Sequence, residues 1–227
     1  MKPIALVTQR QVLNQYGEPS DILMRGNVEF IRDLGFAAVA VPNDPDNALT
    51  LLRSMDYGLL FVTGGGFVPE EFFVGDTTGA QYQPLRDDVE RILVADAITR
   101  GIPIYALCRG MFMVNGILGG KVLRGGSASK PRHDHYVTLR DGAKALVNTY
   151  HNSAVPQDLL APELEALAWE TGTQNVEAYR SVDKRILGLQ WHPERPLPSA
   201  ESITVTERLF DWLLNGTPLP EHILEAR

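Results

Sequence analysis

Short apolar runs alternate with longer amphipathic segments over the first half of the chain. Continuous apolar runs are typical of strands buried on both faces, whereas apolar positions spaced three and four apart predict helices. The sequence therefore predicts strands at 4–9, 37–42, 57–66 and 102–108, and helices at 22–35, 46–55, 84–101 and 109–120. Strands that alternate with helices in this way indicate βαβ units and a parallel sheet.

Strands dominate the later part of the chain. Two β-type runs flank RDGAK within 135–151, which predicts a hairpin, and further strands are predicted at 164–170, 176–182 and 185–193. An amphipathic segment at 200–216 predicts a closing helix. Because no repeat or long linker divides the chain, we expect one domain over residues 1–227. Its fold class would be α/β, a three-layer sandwich with a central, mostly parallel sheet and a strand-rich C-terminal half.

Composition narrows the classes of function. The net charge of -7 argues against nucleic acid or an anionic membrane as the main partner, because both attract basic surfaces. The apolar run at the N-terminus is too short for a signal peptide, and we find no apolar run of about 20 residues that would cross a membrane. A cytoplasmic protein is expected. A single cysteine excludes an intrachain disulfide and a multi-cysteine metal site, and we expect neither a metal nor a cofactor.

Cys108, the only cysteine, lies between the predicted strand 102–108 and the predicted helix 109–120. A lone cysteine in an apolar context is more often a small buried hydrophobic residue than a nucleophile. Its position favours the nucleophile, because a sharp strand-to-helix turn presents its central side chain at the edge of a parallel sheet where ligands bind. Gly110 leaves room for such a turn, and the N-terminus of the following helix favours a thiolate.

A thiolate nucleophile needs a base that is held by a third group. Most of the histidines are expected to be hydrogen-bonded surface or core residues, but His192 ends an apolar run in GLQWHPER, and Glu194 follows two residues later. Positions two apart in an extended segment point to the same side, so the Glu194 carboxylate can orient the His192 imidazole. The three residues together predict a Cys–His–Glu arrangement.

An acyl-transfer site also needs hydrogen-bond donors for the oxyanion. The backbone N–H of Arg109, directly after the cysteine, is one candidate. The glycine run in VTGGG supplies the second, for which Gly65 is the first choice and Gly66 the next. A glycine turn after a strand is weak evidence alone, so the prediction depends on the order of glycine turn, cysteine and His-x-Glu.

This order of motifs resembles the class I glutamine amidotransferase-like superfamily. The best match is its gamma-glutamyl hydrolase branch, which includes gamma-glutamyl-gamma-aminobutyrate hydrolases and gamma-glutamyl-CDP-amidate hydrolases. Arg86, Asp87 and Glu90, followed by GIPI and CRGM, are typical of that branch. The matching segments, which span most of 59–195, are VTGGG, RDDVERILVADAITRGIPIYALCRGMFMVNGILGG, VNTYHNSAV, VEAYR and ILGLQWHPER. The resemblance implies a flavodoxin-like fold.

The resemblance also implies roles for residues. Cys108 would be the nucleophile, His192 the general acid and base, and Glu194 its orienting partner. The implied reaction is hydrolysis of a gamma-glutamyl amide through a gamma-glutamyl thioester, with release of glutamate and an amine or amidate. The segments VTQR, HNSAV and WHPER look most like the gamma-glutamyl-CDP-amidate hydrolases of surface (capsule) polysaccharide biosynthesis. Arg10 and Arg25 would then be candidates to bind a phosphate-bearing leaving group, although the favoured interpretation of each is an ordinary surface or helix charge.

Two departures from the superfamily pattern concern the substrate. Phe112 stands four residues after the cysteine, where a glutamine often helps to bind the glutamyl group. His151 and Asn152 stand where the hydrolase branch often has two adjacent histidines, and the alternative role for them is to hold a loop by side-chain hydrogen bonds. The candidate substrate-binding residues are Gly64, Gly66, Phe112, His151 and Asn152.

The partner of a hydrolase of this kind is a small gamma-glutamyl molecule, and a homodimer is left open. A second possibility is a glutaminase subunit that delivers ammonia to a synthase. It is less favoured because the chain contains no synthase domain and because Phe112 departs from the glutaminase pattern. A third is a non-catalytic binding or regulatory homologue with a relic site, in which Cys108 would be dispensable.

Overall fold

The computed structural model describes residues 2–220. Its helices are α1 (Arg25–Asp33), α2 (Pro45–Ser54), α3 (Pro84–Arg100), α4 (Arg109–Ile117) and α5 (Ala200–Asn215). Its strands are β1 (Ile4–Thr8), β2 (Arg10–Leu13), β3 (Pro19–Ile22), β4 (Ala37–Val41), β5 (Leu59–Val62), β6 (Phe73–Val74), β7 (Ile104–Leu107), β8 (Val122–Leu123), β9 (His135–Leu139), β10 (Lys144–Val147), β11 (Glu165–Glu170), β12 (Val176–Ser181) and β13 (Ile186–Leu189).

A nine-stranded sheet has the order β10-β9-β11-β12-β13-β7-β5-β1-β4. The strands β4, β1, β5, β7 and β13 run parallel. The strands β12, β11, β9 and β10 pair antiparallel and form the strand-rich C-terminal half. In the register of β7 and β13, Leu107 is opposite Leu189, so the segments after these two residues meet at the same edge of the sheet.

Helices cover both faces of the sheet. Ile31 of α1 and Leu209 of α5 pack with the side chains of one face, and Ala48 of α2, Leu93 of α3 and Val114 of α4 pack with those of the other. The sheet therefore lies between two layers of helices, with one apolar cluster on each face. This confirms the predicted three-layer α/β sandwich. No helix of residues 2–220 is long and apolar enough to span a membrane.

Residues at the helix ends explain why several predicted boundaries agree with the structure to within a residue or two. Helix α3 begins at Pro84 and ends at Arg100, and it is capped by Gly101, whose φ of 65° is a left-handed conformation that favours glycine. Helix α5 begins after Ser199, whose side chain accepts a hydrogen bond from the backbone N–H of Ser202 in a capping box. Such caps satisfy backbone groups that have no partner within the helix.

The prediction of a helix from residue 22 is wrong at its start. Ile22 ends strand β3, which pairs antiparallel with β2 in a hairpin that the apolar pattern did not predict. The Asp21 carboxylate holds this segment extended by accepting hydrogen bonds from the backbone and side-chain amides of Asn43, at 2.8 and 2.7 Å. Helix α1 therefore starts only at Arg25.

Candidate active site

Cys108 occupies a strained turn between β7 and α4. Its φ of 51° and ψ of -106° lie outside the regions that residues other than glycine normally adopt. A conformation of this kind costs about 1–3 kcal/mol and persists only when surrounding structure enforces it. The backbone N–H of Cys108 donates to the Leu189 carbonyl at 2.8 Å, which ties the turn to β13. A side chain at Gly110 would overlap the Val62 carbonyl, so the turn also requires that glycine.

His192 and Glu194 form the predicted pair. The Nδ1 atom of His192 lies 2.7 Å from Oε1 of Glu194. Its Nε2 atom has no hydrogen-bond partner among residues 2–220. An ideal Cβ on Gly64 would lie 3.3 Å from Cβ of Cys108 and 3.6 Å from Cε1 of His192, so the cysteine and the histidine are neighbours across this glycine. The structure thus brings the three predicted catalytic residues together.

The surroundings of His192 favour its charged form. Burial lowers the pKa of His192, but its interactions with Cys108 and Glu194 outweigh the burial and raise the pKa to about 9. The Glu194 carboxylate fixes the orientation of the ring, and Nε2 is left to exchange a proton with the cysteine. Such a group can act as an acid and as a base.

Two further side chains contact His192, and a third packs on one of them. The side chain of Asn148 donates to the His192 carbonyl at 2.9 Å and accepts from its N–H at 2.8 Å. The Tyr150 ring meets the imidazole edge to face, with centroids 5.1 Å apart. The Arg195 guanidinium lies 3.9 Å above the Tyr150 ring. The apolar pattern did not identify Asn148 and Tyr150, because they come from a loop more than 40 residues before His192.

Arg86 orients the glycine turn after β5. Its guanidinium donates to the carbonyls of Thr63 at 2.6 Å, Gly64 at 3.3 Å and Gly65 at 2.7 Å. No peptide bond among the described residues is cis. The N–H of the next residue therefore points opposite to each carbonyl. The N–H groups of Gly65 and Gly66 consequently point away from Arg86, and both glycines line a cavity.

Arg86 belongs to a buried cluster of four charged residues. Its Nε donates to Glu90 at 2.7 Å, and the Arg109 guanidinium pairs with both Glu90 and Asp87. Burial raises the pKa of Glu90, but the two guanidinium groups outweigh it and hold the pKa below its usual value. Burial also raises the pKa of Asp87, to about 6. The Arg109 Nε donates to the Phe67 carbonyl at 2.9 Å, so the cluster connects α3, the glycine turn and the cysteine turn.

A cavity of about 960 Å³ opens beside Cys108. The unpredicted β2–β3 hairpin forms one wall and supplies Arg10 to it. The predicted substrate and oxyanion residues among its lining are Gly65, Gly66, Arg109, Phe112, His151 and Asn152. Gly64 is not part of the lining and lies against Cys108 and His192 instead. The volume is at the upper end of the ~300–1,000 Å³ usual for small-molecule sites.

Two further candidates, Arg25 and Phe112, offer no polar group to the cavity. Arg25 is an ordinary helix-surface charge, since its exposed side chain pairs with Glu29 on α1 and does not line the cavity. Phe112 is mostly buried among Val68, Met113 and other apolar residues, so it closes the cavity wall with apolar surface. Phe112 therefore supplies no polar contact, whereas Arg10 places a cationic side chain on the cavity lining.

Comparison with known proteins agrees with this geometry. The Peptidase C26 family model matches residues 4–194. The glutamine amidotransferase-like protein YvdE of Lactococcus lactis is 25% identical over 84% of this chain and 86% of its own length. One of the subunits of a glutamine-hydrolysing GMP synthase from Methanoregula boonei is 28% identical over 81% of this chain and 86% of its own.

Two more proteins are similar to this chain. Protein NtpR of Enterococcus hirae is 31% identical over 57% of this chain, and the match spans only 61% of NtpR. A GMP synthase protein from Thermoplasma acidophilum shares the fold, with a TM-score of 0.62 and 16% identity over 95% of this chain and 96% of its own. The family match, the glutamine amidotransferase-like relatives and the fold show that the chain belongs to the Peptidase C26 family, within the glutamine amidotransferase-like superfamily.

Proposed function

We propose that this protein hydrolyses a gamma-glutamyl amide through Cys108, His192 and Glu194. The observation that carries the proposal is the strained Cys108 turn beside a histidine whose Nδ1 is held by a carboxylate. Its family supports amide hydrolysis in general. The Cys108 thiolate attacks the gamma-carbonyl carbon, and the C–N bond breaks as His192 protonates the leaving nitrogen. Water, deprotonated by His192, then attacks the thioester and releases glutamate and the thiolate.

The oxyanion of each tetrahedral intermediate would accept hydrogen bonds from the N–H of Arg109 and from the glycine turn. Gly65 remains our first choice and Gly66 the second. In support, Arg86 holds the carbonyls of Gly64 and Gly65 and so turns both N–H groups away from itself. Donors fixed in advance in this way need no reorganisation during the reaction, and the loss of one costs about 3–4 kcal/mol.

The cavity supports a substrate with an anionic leaving group. A glutamyl group alone would leave much of the roughly 960 Å³ unfilled. The Arg10 guanidinium lines this space and makes no hydrogen bond or ion pair with any described residue. A phosphate-bearing amidate, as in gamma-glutamyl-CDP-amidate, would supply its partner. This substrate would place the enzyme in surface-polysaccharide biosynthesis.

A substrate panel tests the proposed function. We expect Cys108-dependent release of glutamate from one or more of glutamine, a gamma-glutamyl amine, a gamma-glutamyl peptide and a gamma-glutamyl nucleotide amidate, with the amidate giving the highest kcat/KM. Glutamate is quantified for wild type and Cys108→Ala. The hydrolase assignment fails if no member is hydrolysed in a Cys108-dependent manner.

Arg10→Met should lower kcat/KM for an anionic amidate while leaving that for a neutral gamma-glutamyl amine nearly unchanged. A hydrogen bond to a charged group contributes about 1.5–3 kcal/mol, which corresponds to roughly 10–150-fold. Steady-state kinetics with both substrates measure the difference. Arg25→Met is the matched control, since its exposed side chain pairs with Glu29. Equal losses for both substrates would contradict a role for Arg10 in binding the leaving group.

The pKa of about 9 at His192 predicts an alkaline limit to activity. Because the imidazolium must donate a proton to the leaving nitrogen, kcat/KM should fall as pH rises through about 9. Glu194→Gln removes a negative charge that favours the protonated ring, so this limb should move to lower pH. The pH profile of kcat/KM reports the free enzyme and measures the shift. Glu201→Gln, an exposed carboxylate in the first turn of α5, should leave the limb in place. An unmoved limb in Glu194→Gln would contradict the role of Glu194.

A glutaminase that delivers ammonia to a synthase is the second candidate. It is favoured by the similarity to the glutamine-hydrolysing GMP synthase of Methanoregula boonei. In that case glutamine would be the best substrate of the panel, and its hydrolysis would rise on addition of a synthase partner. The isolated chain would then show little release of glutamate from other gamma-glutamyl compounds.

A further inference from the structure

A second group of titratable side chains adjoins the cavity through His151. His135 of β9, His151 of the loop after β10, and Glu177 of β12 each direct one ligand atom to a common point, and these atoms all lie within 4.8 Å of one another. His135 Nε2 is 3.4 Å from Glu177 Oε2, and His151 Nε2 is 3.6 Å from Glu177 Oε1. The three side chains are 9%, 2% and 2% exposed.

The atoms that face this point lack hydrogen-bond partners. Among residues 2–220, Nε2 of His135, Nε2 of His151 and Oε2 of Glu177 are buried and unsatisfied. Both polar side-chain atoms of Gln190 are buried and unsatisfied as well, and the Gln190 N–H donates to the Glu177 carbonyl on the adjacent strand. Buried polar groups nearly always have partners in native structures. Unsatisfied atoms on several converging residues therefore point to a bound ligand.

The far side of each imidazole is already engaged. Nδ1 of His151 lies 3.1 Å from the Ser153 carbonyl, to which it donates in the neutral ring, so that Nε2 carries the lone pair. Nδ1 of His135 contacts the hydroxyl of Thr149. Metal-binding histidines are typically held in this way, with the second ring nitrogen donating to a carbonyl or another oxygen. Both rings thus turn their free nitrogen toward the Glu177 carboxylate.

We propose that His135, His151 and Glu177 bind a divalent first-row transition ion such as Zn²⁺. Bonds of ~2.0–2.1 Å in a tetrahedral site separate neighbouring ligand atoms by roughly 3.3–3.4 Å. The His135 Nε2–Glu177 Oε2 and His151 Nε2–Glu177 Oε1 distances, 3.4 and 3.6 Å, are close to that value but end on different carboxylate oxygens. One ion would therefore reach both imidazoles if Glu177 bound through both oxygens or rotated slightly to present one of them. Two imidazoles and a carboxylate suit Zn²⁺ and similar ions, and three protein ligands leave the fourth position for water.

The proposed site is connected to the active site through one loop. His151 lines the cavity, which gives an ion a path from solvent. Asn148, three residues earlier, holds both backbone groups of His192. An ion that fixes His151 and His135 would therefore stiffen the segment that positions the catalytic histidine. The ion has no part in the proposed chemistry at Cys108.

Zinc binding can be tested without reference to activity. Because Cys108 and His192 are themselves a potential zinc site, the measurements use Cys108→Ala as the parent. Purified protein is treated with EDTA, dialysed, and titrated with Zn²⁺ against a chelating indicator. We expect one equivalent to bind and the thermal midpoint to rise with Zn²⁺. Adding Glu177→Gln, which removes a proposed ligand, should weaken Zn²⁺ binding more than the ~10–100-fold that is typical when a residue hydrogen-bonded to a ligand is lost. Adding His133→Ala, which removes an exposed histidine two residues from His135, should change nothing.

Co²⁺ offers a second readout if Glu177→Gln fails to fold. In the folded Cys108→Ala parent, the tetrahedral nitrogen–oxygen site should give intense visible d–d bands, and His135→Asn should abolish them. The proposal is overturned if the parent binds no stoichiometric Zn²⁺. It is equally overturned if only the protein that retains Cys108 binds, or if binding survives in both the Glu177 and the His135 variants.

Discussion

Cys108→Ala is expected to reduce glutamate release from the best gamma-glutamyl substrate by roughly 10⁴–10⁶-fold. Removal of a nucleophile from a triad costs a factor of this order, and the remainder comes from binding and from the oxyanion donors. The chain offers no substitute thiol, because Cys108 is its only cysteine, and Cys108 lines the cavity. Release of glutamate is measured at saturating and limiting substrate.

The expected loss of activity in Cys108→Ala has to be distinguished from a loss of folding. Alanine keeps the Cβ atom and the strained backbone of the turn, so the free energy of unfolding should stay close to that of wild type. Circular dichroism and urea unfolding check this point. A Cys108→Ala protein that is folded and retains full activity would favour the non-catalytic or relic interpretation of the cysteine.

Glu90→Gln should cause a large loss of stability, about 3–5 kcal/mol in the free energy of unfolding. Glu90 is completely buried and pairs with both Arg86 and Arg109. Without the carboxylate, two buried guanidinium groups share only Asp87, and an uncompensated buried charge is strongly destabilising. Urea unfolding at neutral pH, above the pKa of about 6 at Asp87, measures the change.

Glu71→Gln is the matched control for the buried cluster. Its carboxylate pairs with Arg91 at 2.6 Å, but the side chains are 63% and 39% exposed. An exposed pair of this kind contributes ~0–1 kcal/mol. A similar small effect for Glu90→Gln would show that the cluster does not hold the fold. Activity of Glu90→Gln should also fall, because Arg86 orients the proposed oxyanion turn.

The sequence was sufficient to predict the sheet, the cysteine turn and the histidine–glutamate pair, because each depends on local pattern. Apolar runs mark buried strands whatever their order, and a His-x-Glu spacing places both side chains on one side of an extended segment. The positions of Gly65, Arg109 and Phe112 beside the cavity follow from the same strand ends. Their roles in the reaction stay predictions.

The remaining features depend on contacts between distant segments. The β2–β3 hairpin is short and half-exposed, so its residues carry no strong apolar period, yet it brings Arg10 over the glycine turn. In the sequence Arg86 and Glu90 belong only to a motif, and their contacts with Thr63 and Arg109 form once the chain is folded. His135, His151 and Glu177 come from separate strands and loops with no common spacing. No local pattern could have grouped them.

The most direct test of the central claim is to trap the gamma-glutamyl thioester. Wild-type protein is mixed with the best gamma-glutamyl substrate, quenched in acid within a turnover, and examined by intact-protein and peptide mass spectrometry. We predict an added gamma-glutamyl group on the peptide that carries Cys108, removed by hydroxylamine and absent in Cys108→Ala. Hydrolysis at the normal rate with the adduct on another residue, or with glutamate release that persists in Cys108→Ala, would contradict the account.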